Sequence, residues 1–415
     1  MVGHSPSSRS VQISTPKTTD QPLNDLRVHR VSVASETSSA SVSAKQSSWD
    51  AIPTSHALVL TLAAATAFIG LLVLTVPLNL SDGLATAMTA LLAMTIVFVL
   101  TPPLIRKMHA SGMVGQDVNR REKTLVAELG GIAALFAFSV SLSLVIGVRK
   151  LLGNVAEPPF LAAISVFFMA AMIGLIDDIS DLRQRLKAIA VGFAALPLML
   201  VHLGQTEIGF PLGYVWTFPG DWRLLYWLIL VPIGVSGVAN AMNMSAGYNG
   251  LETGQIAVVS GALLLVAELR GAPDVSLLVF GSVVGCALGL YYFNRFPARV
   301  FIGDVGTLGL GAAIAAGAIL AHIEFYGLIA IGPAFYELFA TISYGIKKNN
   351  GHRKEACKHP VIQEDGTLRP PHGAGRYTLA FALLSWHPMK EKQLVLALLA
   401  LYAVCGLVAV LLSVM

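Results

Sequence analysis

Long apolar runs, each close to the roughly 20 residues a helix needs to cross a bilayer core, recur along the chain between short polar segments. They predict eleven spans, near Ser55–Val76, Leu84–Ile105, Leu129–Val148, Phe160–Ile176, Ala188–Leu203, Leu225–Ala239, Ile256–Leu269, Val275–Phe293, Val305–Ala321, Phe325–Ile346 and Leu394–Leu412. The expected fold is all-α, a polytopic membrane helix bundle of about 11 transmembrane helices. Four polar clusters sit at the ends of these runs: Gly115 to Glu128, Asp177 to Lys187, Asn240 to Glu252, and Phe301 to Asp304. Charge at a membrane boundary is costly unless something binds to it, so together the clusters suggest a site for a charged substrate and a metal.

The pattern also divides the chain. Residues 1–54 are rich in Ser and Thr, poor in aromatics and without an apolar period, so they are expected to form a disordered cytoplasmic tail. Residues 55–415 form the multi-pass domain. Between Gly204 and Trp222, Phe210, Tyr214, Trp216 and Phe218 alternate with Gly and Pro, the pattern of a short hairpin lying at the membrane interface. Residues 347–393 are the one long polar insertion. Gly366, Pro370, Pro371, Gly373 and Gly375 argue against a continuous helix there, and its basic residues place it to cap the cytoplasmic site.

Composition turns this pattern into a class. Of 415 residues, 55% are hydrophobic and 13% charged, with a mean hydropathy of +0.69, against about 25% charge in ordinary globular domains. That excludes a soluble enzyme. The net charge of +4 is better explained by helix orientation than by a nucleic-acid partner. With the amino terminus inside, the inner loops hold nineteen Lys and Arg and the outer loops four. The positive-inside rule then puts all four clusters on the cytoplasmic face. Cys286, Cys357 and Cys405 form no CxxC pair and suggest neither zinc nor a disulfide.

Each cluster carries a chemical and a structural reading. The adjacent carboxylates of Asp177 and Asp178 repel, and a divalent cation or a lysine would relieve them; alternatively an Asp caps the next helix while Arg183, Arg185 and Lys187 anchor it in headgroups. Asn240 and Asn243 share a helix face, with Asn249 and Glu252 beyond a Gly247-containing break, and such amides serve a hard cation, a base or helix packing. Asp304 opens a glycine-rich span either as a cap or as a metal ligand. In the basic loop Arg353, Lys354 and Lys358 are candidates to hold phosphate, while His352, His359 and His372 lack the i, i+4 spacing of a helical zinc site.

In order and spacing, three segments resemble the motifs of the polyprenyl-phosphate N-acetylhexosamine-1-phosphate transferases: Asp177-Asp178-Ile-Ser-Asp181 through Lys187, Asn240-Ala-Met-Asn243 through Asn249 and Glu252, and Arg299-Val-Phe301-Ile-Gly303-Asp304. Gly115-Gln116-Asp117-Val118-Asn119 with Glu128 adds a fourth match. The likeness runs from about Leu84 to the last span and is strongest to the eukaryotic and archaeal dolichyl-phosphate branch. It implies that a UDP-N-acetylhexosamine gives its sugar 1-phosphate to dolichyl or polyprenyl phosphate, releasing UMP, as in the first step of lipid-linked glycan assembly. It implies Mg²⁺, or Mn²⁺ in its place, on Asn243 and Asp304. Phe301 would stack on uracil; Asn249, Gln116, Asp117 and Val118 would contact uracil and ribose; Lys187 would hold the diphosphate; Glu128 would support the donor; Asp177 and Asp178 would orient or deprotonate the acceptor phosphate. Asn240, Glu252 and Arg353 join the substrate-binding set. The host sets the location, plasma membrane in a prokaryote (an archaeon favoured) or endoplasmic reticulum in a eukaryote, and a homodimer is left open. A secondary transporter or flippase also breaks helices at Asn, Asp and Gly, but would place them near the midplane in two related halves.

Overall fold

The computed structural model describes residues 82–415 apart from 123, 152–157, 203–205, 348–358 and 373–376. The expected tail, the expected span Ser55–Val76 and Arg353 lie outside the described residues. In chain order the elements are α1 (Asp82–Ser111), a hairpin of β1 (Val114–Gln116) and β2 (Leu125–Ala127), α2 (Gly131–Leu151), α3 (Pro158–Ser180), α4 (Gln184–Phe193) and α5 (Leu196–His202). A second hairpin, β3 (Glu207–Gly209) and β4 (Val215–Thr217), precedes α6 (Trp222–Leu225), a π-helical turn (Tyr226–Leu230) and α7 (Val231–Met244). Then come α8 (Leu251–Leu269), α9 (Asp274–Asn294), α10 (Gly303–Leu320), α11 (Glu324–Ala330) and α12 (Gly332–Lys347). Last are β5 (Val361–Ile362), β6 (Leu368–Arg369), α13 (Leu379–Trp386) and α14 (Glu391–Ser413).

Among the described residues, nine helices are long and apolar enough to cross a membrane, and the protein is an integral membrane helix bundle. The outward faces carry Phe136, Leu144, Leu161, Phe168, Ile189, Leu396 and Leu407 in exposed positions, a surface that lipid solvates and water would not. At the centre stands α10, in which every residue from Val305 to Leu320 is buried. Its small residues permit this: Gly311 leaves room only for the backbone of Ala239 on α7. Around it α2 and α3 pack through the stacked rings of Phe138 and Phe167, with centroids 4.2 Å apart.

Two of the expected spans are broken at a proline, whereas α1 runs unbroken through Pro102 and Pro103. The span expected over Phe325–Ile346 is two helices, broken at Ile331 with Pro333 at the second position of α12. The span expected over Ala188–Leu203 begins at Gln184 and breaks between α4 and α5 before Pro197. A proline lacks the N–H that would continue the ladder but suits the first turn of a new helix. Besides the hairpin expected near Phe210–Phe218, two more are present, β1–β2 and β5–β6. Val300 bridges to Ala127 beside the first of these, and the Phe301 N–H donates to the Ala127 carbonyl at 2.8 Å. The third hairpin and α13 attach to α8 and α14 through a separate apolar cluster of Leu251, Leu368, Phe381, Leu384, Leu394 and Leu398.

Candidate functional site

Side-chain contacts bring the end of α3, the start of α4, the end of α7 and the start of α10 together at one end of the bundle: Lys187 meets Asp177 and Asp304, and Asn243 meets Thr307. There a cavity of about 500 Å³ opens. Asp177, Lys187, Asn243 and Asp304 line it, one from each of those four elements. Residues up to 127 positions apart in sequence thus share one wall.

The two adjacent aspartates divide the labour. Asp177 accepts the Leu182 N–H at 2.7 Å and the Lys187 ammonium at 2.8 Å. Asp178 does not line the cavity; its two oxygens accept the N–H groups of Asp304 and Val305 at 2.9 and 3.0 Å. It caps the first turn of α10 from another helix, satisfying two of the four donors that every helix start leaves open. Two glycines make this approach possible. A Cβ on Gly174 would strike the Asp304 carbonyl, and one on Gly303, whose φ is +68°, would meet the Asp178 carboxylate at 2.7 Å. The sequence offered an Asp as the cap of the next helix; the start of α4 has no side-chain cap, and Asp178 caps the distant α10 instead.

Lys187 is only 3% exposed. Its Nζ donates to Asp177 and also to Asp304, at 2.5 Å. A buried ammonium is tolerated only with such partners, and here two carboxylates supply them. Asn243 accepts the Thr307 hydroxyl at 3.0 Å, which aims its carboxamide oxygen toward α10. Glu252, in the first turn of α8, receives the Gly247 N–H at 3.2 Å on one oxygen, while the other is buried without a hydrogen-bond partner. Hard oxygens of Asp304, Asn243 and Asp177, with the orphaned Glu252 oxygen nearby in electrostatic reach of Asp304, make a donor set that fits a hard divalent cation. Among the described residues no three His, Cys, Asp or Glu side chains enclose a metal by themselves. Such a set suits a cation that completes its shell with water and substrate phosphate.

Other expected site residues stand outside the lining. Asn240 donates back to Ser236, at 2.8 Å to its carbonyl, one turn earlier on α7. Asp117 and Asn249 are buried and bonded to each other at 2.9 Å. Gln116 and Val118 are exposed. Glu128 follows β2, its N–H donates to the Met113 carbonyl at 3.1 Å and its side chain lies against Gly115, while Phe301 is held by its backbone to Ala127 and Gly130. Arg353 lies outside the described residues.

The cavity also contains Asn119, from the fourth motif match, and residues to which the sequence assigned no role: Tyr248, Glu337, His359, Tyr377 and Tyr402. Burial first, then the Glu337 and Glu391 carboxylates, pushes the Tyr248 phenol well up, so it stays a neutral donor. Glu337 accepts the Leu379 N–H at 2.7 Å and so ties α12 to the start of α13. One sequence signal pointed to it, an acidic residue inside an expected span. From the described part of residues 347–393, His359, Pro360 and Tyr377 to Phe381 line the cavity.

Residues 160–322, which carry all four of the cavity residues named first, match glycosyl transferase family 4. The chain is 30% identical over 304 residues to a protein of Methanocaldococcus jannaschii provisionally named a glycosyltransferase, covering 72% of this chain and 87% of that one. It is 28% identical over 337 residues, 80% of this chain and 97% of the other, to a Saccharolobus solfataricus protein provisionally named UDP-N-acetylglucosamine–dolichyl-phosphate N-acetylglucosaminephosphotransferase. A phospho-N-acetylmuramoyl-pentapeptide-transferase of Lactococcus lactis is 30% identical over 284 residues, 64% of this chain and 82% of that one.

Proposed function

We infer that this chain, which belongs to glycosyl transferase family 4, transfers the sugar 1-phosphate of a UDP-N-acetylhexosamine to a dolichyl or polyprenyl phosphate. GlcNAc is the favoured sugar, because the archaeal relative that aligns over nearly its whole length bears that name. The observation that carries the reading is the wall itself: a buried lysine between two aspartates, beside a carboxamide, at one end of a lipid-facing bundle. A soluble nucleotide sugar and a lipid phosphate at headgroup depth can both reach such a place. Cytosolic supply of the donor and the loop charges favour the cytoplasmic face, of the plasma membrane in a prokaryote or the endoplasmic reticulum in a eukaryote.

In the reaction a lipid phosphate oxygen attacks the β-phosphorus of the donor. The bond from that phosphorus to the bridging oxygen breaks, and UMP departs with the electron pair. Both substrates are anionic, so positioning and charge compensation carry most of the catalysis. Lys187 supplies fixed positive charge to the diphosphate. Asp177, with its carboxylate on the cavity wall, orients the acceptor phosphate and takes its proton where it carries one. Asp178 acts by holding the first turn of α10, and with it Asp304, in register. Asp304 and Asn243 are the residues that would hold Mg²⁺, or Mn²⁺, whose charge when bound screens the donor diphosphate. Gln116, Val118, Glu128 and Phe301 all stand on the β1–β2 hairpin or the segment paired with it, so a uracil stacked on Phe301 would meet them together. Asp117, Asn249 and Glu252 brace the turns that carry this wall, Asn240 bonds back along α7, and Arg353 would approach the donor from the loop of residues 347–393.

The test is incubation of the purified chain with Mg²⁺, a short polyprenyl phosphate and a panel of UDP-sugars. UMP and a lipid diphosphate sugar should form in equal amounts with UDP-GlcNAc, and EDTA should silence both. Absence of lipid product with every sugar nucleotide, or turnover that persists in EDTA, would reject the reaction or its metal respectively.

A further inference from the structure

Glu391 opens α14, the last helix, far in sequence from every motif described above, yet its side chain is 4% exposed and fully engaged at the site. One oxygen accepts the backbone N–H of Asn249 at 2.8 Å and the carboxamide nitrogen of Asn119 at 3.2 Å; the other lies 3.4 Å from the Asn249 carboxamide nitrogen. The Asn119 nitrogen donates also to the Gly247 carbonyl at 2.7 Å. Three segments meet here: the β1–β2 connection, the α7–α8 turn and the start of α14. Two of them, through Asn119, Gly247 and Tyr248, form cavity wall.

The hydrogen bonds fix more than position. An asparagine carboxamide can face either way, and only its partners decide. Here the nitrogen end is held by two acceptors, a carbonyl and a carboxylate, so the reversed orientation would set three acceptors against one another. The Asn119 oxygen, 8% exposed as a residue, is left buried with no hydrogen-bond partner among the described residues, and a wall with an unmet acceptor suits a ligand that brings a donor. Glu391 itself lines no part of the cavity, so whatever it contributes to binding passes through Asn119 and the 247–249 turn.

We propose that Glu391 is a positioning residue of the nucleotide-sugar side of the site, which sets the orientation of Asn119 and the shape of the Gly247–Asn249 turn against the donor. The proposal rests on the transferase reading above. Glu391→Ala and the isosteric Glu391→Gln are compared with the unaltered full chain in purified form, measuring kcat and the KM for UDP-GlcNAc and for the lipid phosphate separately. Direct binding of UDP is followed by calorimetry. Glu391→Ala should raise the KM for the nucleotide sugar and the Kd for UDP by about tenfold to a hundredfold, the scale of a lost charged hydrogen bond, with the KM for lipid unchanged. Glu391→Gln, which keeps one acceptor oxygen, should recover most of the loss. A merely structural glutamate would lower the active fraction and leave both KM values alone. That result, or an equal rise for lipid and nucleotide, overturns the proposal. An unaltered chain that binds UDP but makes no lipid product sinks the transfer reaction instead, while the UDP affinities of the two variants still decide the role of Glu391. An unaltered chain that neither binds UDP nor turns over overturns both.

Discussion

Two basic side chains in this molecule are each gripped by a pair of aspartates, one toward either end of the bundle. Arg149, near the end of α2, meets Asp82 at 2.9 Å and Asp274 at 3.1 Å, in the first turns of α1 and α9. Lys187 meets Asp177 at 2.8 Å and Asp304 at 2.5 Å. The ionic arithmetic is the same, and α2 alone separates the two levels by about 27 Å at 1.5 Å per residue. Their surroundings differ. The Arg149 partners are 53% and 31% exposed and sit at helix starts, where a planar guanidinium joins two chain ends as a clip. The Lys187 partners are 10% and 24% exposed, and beside them stand a carboxamide, an unpaired glutamate oxygen and a cavity. Unused capacity does not separate the two, since both Arg149 contacts run through Nη2 and its Nη1 is buried without a hydrogen-bond partner among the described residues; an ion pair becomes a site where its charges line a cavity, as Asp177, Lys187 and Asp304 do.

Exchanging the acidic partners at each end gives the largest expected contrast. Asp304→Asn should lower UMP release by about a thousandfold or more, whereas Asp82→Asn should stay within about twofold, with expression equal in both. Normal turnover in Asp304→Asn would remove the site from this end of the bundle. Next come the bases. Lys187→Met should cost about a hundredfold in turnover, while Arg149→Met should leave both KM values in place and lower the melting temperature by a few degrees, as expected from the loss of about 1–2 kcal/mol in a partly exposed pair. A melting temperature unchanged in Arg149→Met would mean that its clip contributes nothing. The smallest effect separates the neighbouring aspartates. Asp178→Asn keeps one oxygen to accept from the first turn of α10 and should lose about tenfold in activity; Asp178→Ala should lose more, together with about 1–2 kcal/mol of capping. Equal, complete inactivation of both with undiminished stability would instead give Asp178 a direct part in the chemistry.

Much of this arrangement was legible before any coordinates. Span after span followed from apolar runs, because a bilayer leaves a helix few alternatives. The polar clusters marked the functional end for the same reason, and four of the cavity residues, Asp177, Lys187, Asn243 and Asp304, came from motifs at those boundaries. Legibility failed where partners are far apart. Nothing local in Asp177-Asp178 says that one carboxylate faces a lysine and its neighbour caps a helix more than a hundred residues away. Glu391 lies in no motif and is drawn in only because the last helix returns to the first hairpin. The breaks before Pro197 and after Ile331 were visible as prolines, but an apolar run averages over them.

Local chemistry determined the membrane class, the helices and the face on which charge collects, since each of these depends on how a segment of about twenty residues partitions between lipid and water. Tertiary packing alone decided which carboxylate serves which role, that Lys187 is shared between α3 and α10, and that Asn119 and Glu391 stand at the same wall. Those outcomes depend on distances between segments, and hydropathy along a chain carries no information about such distances.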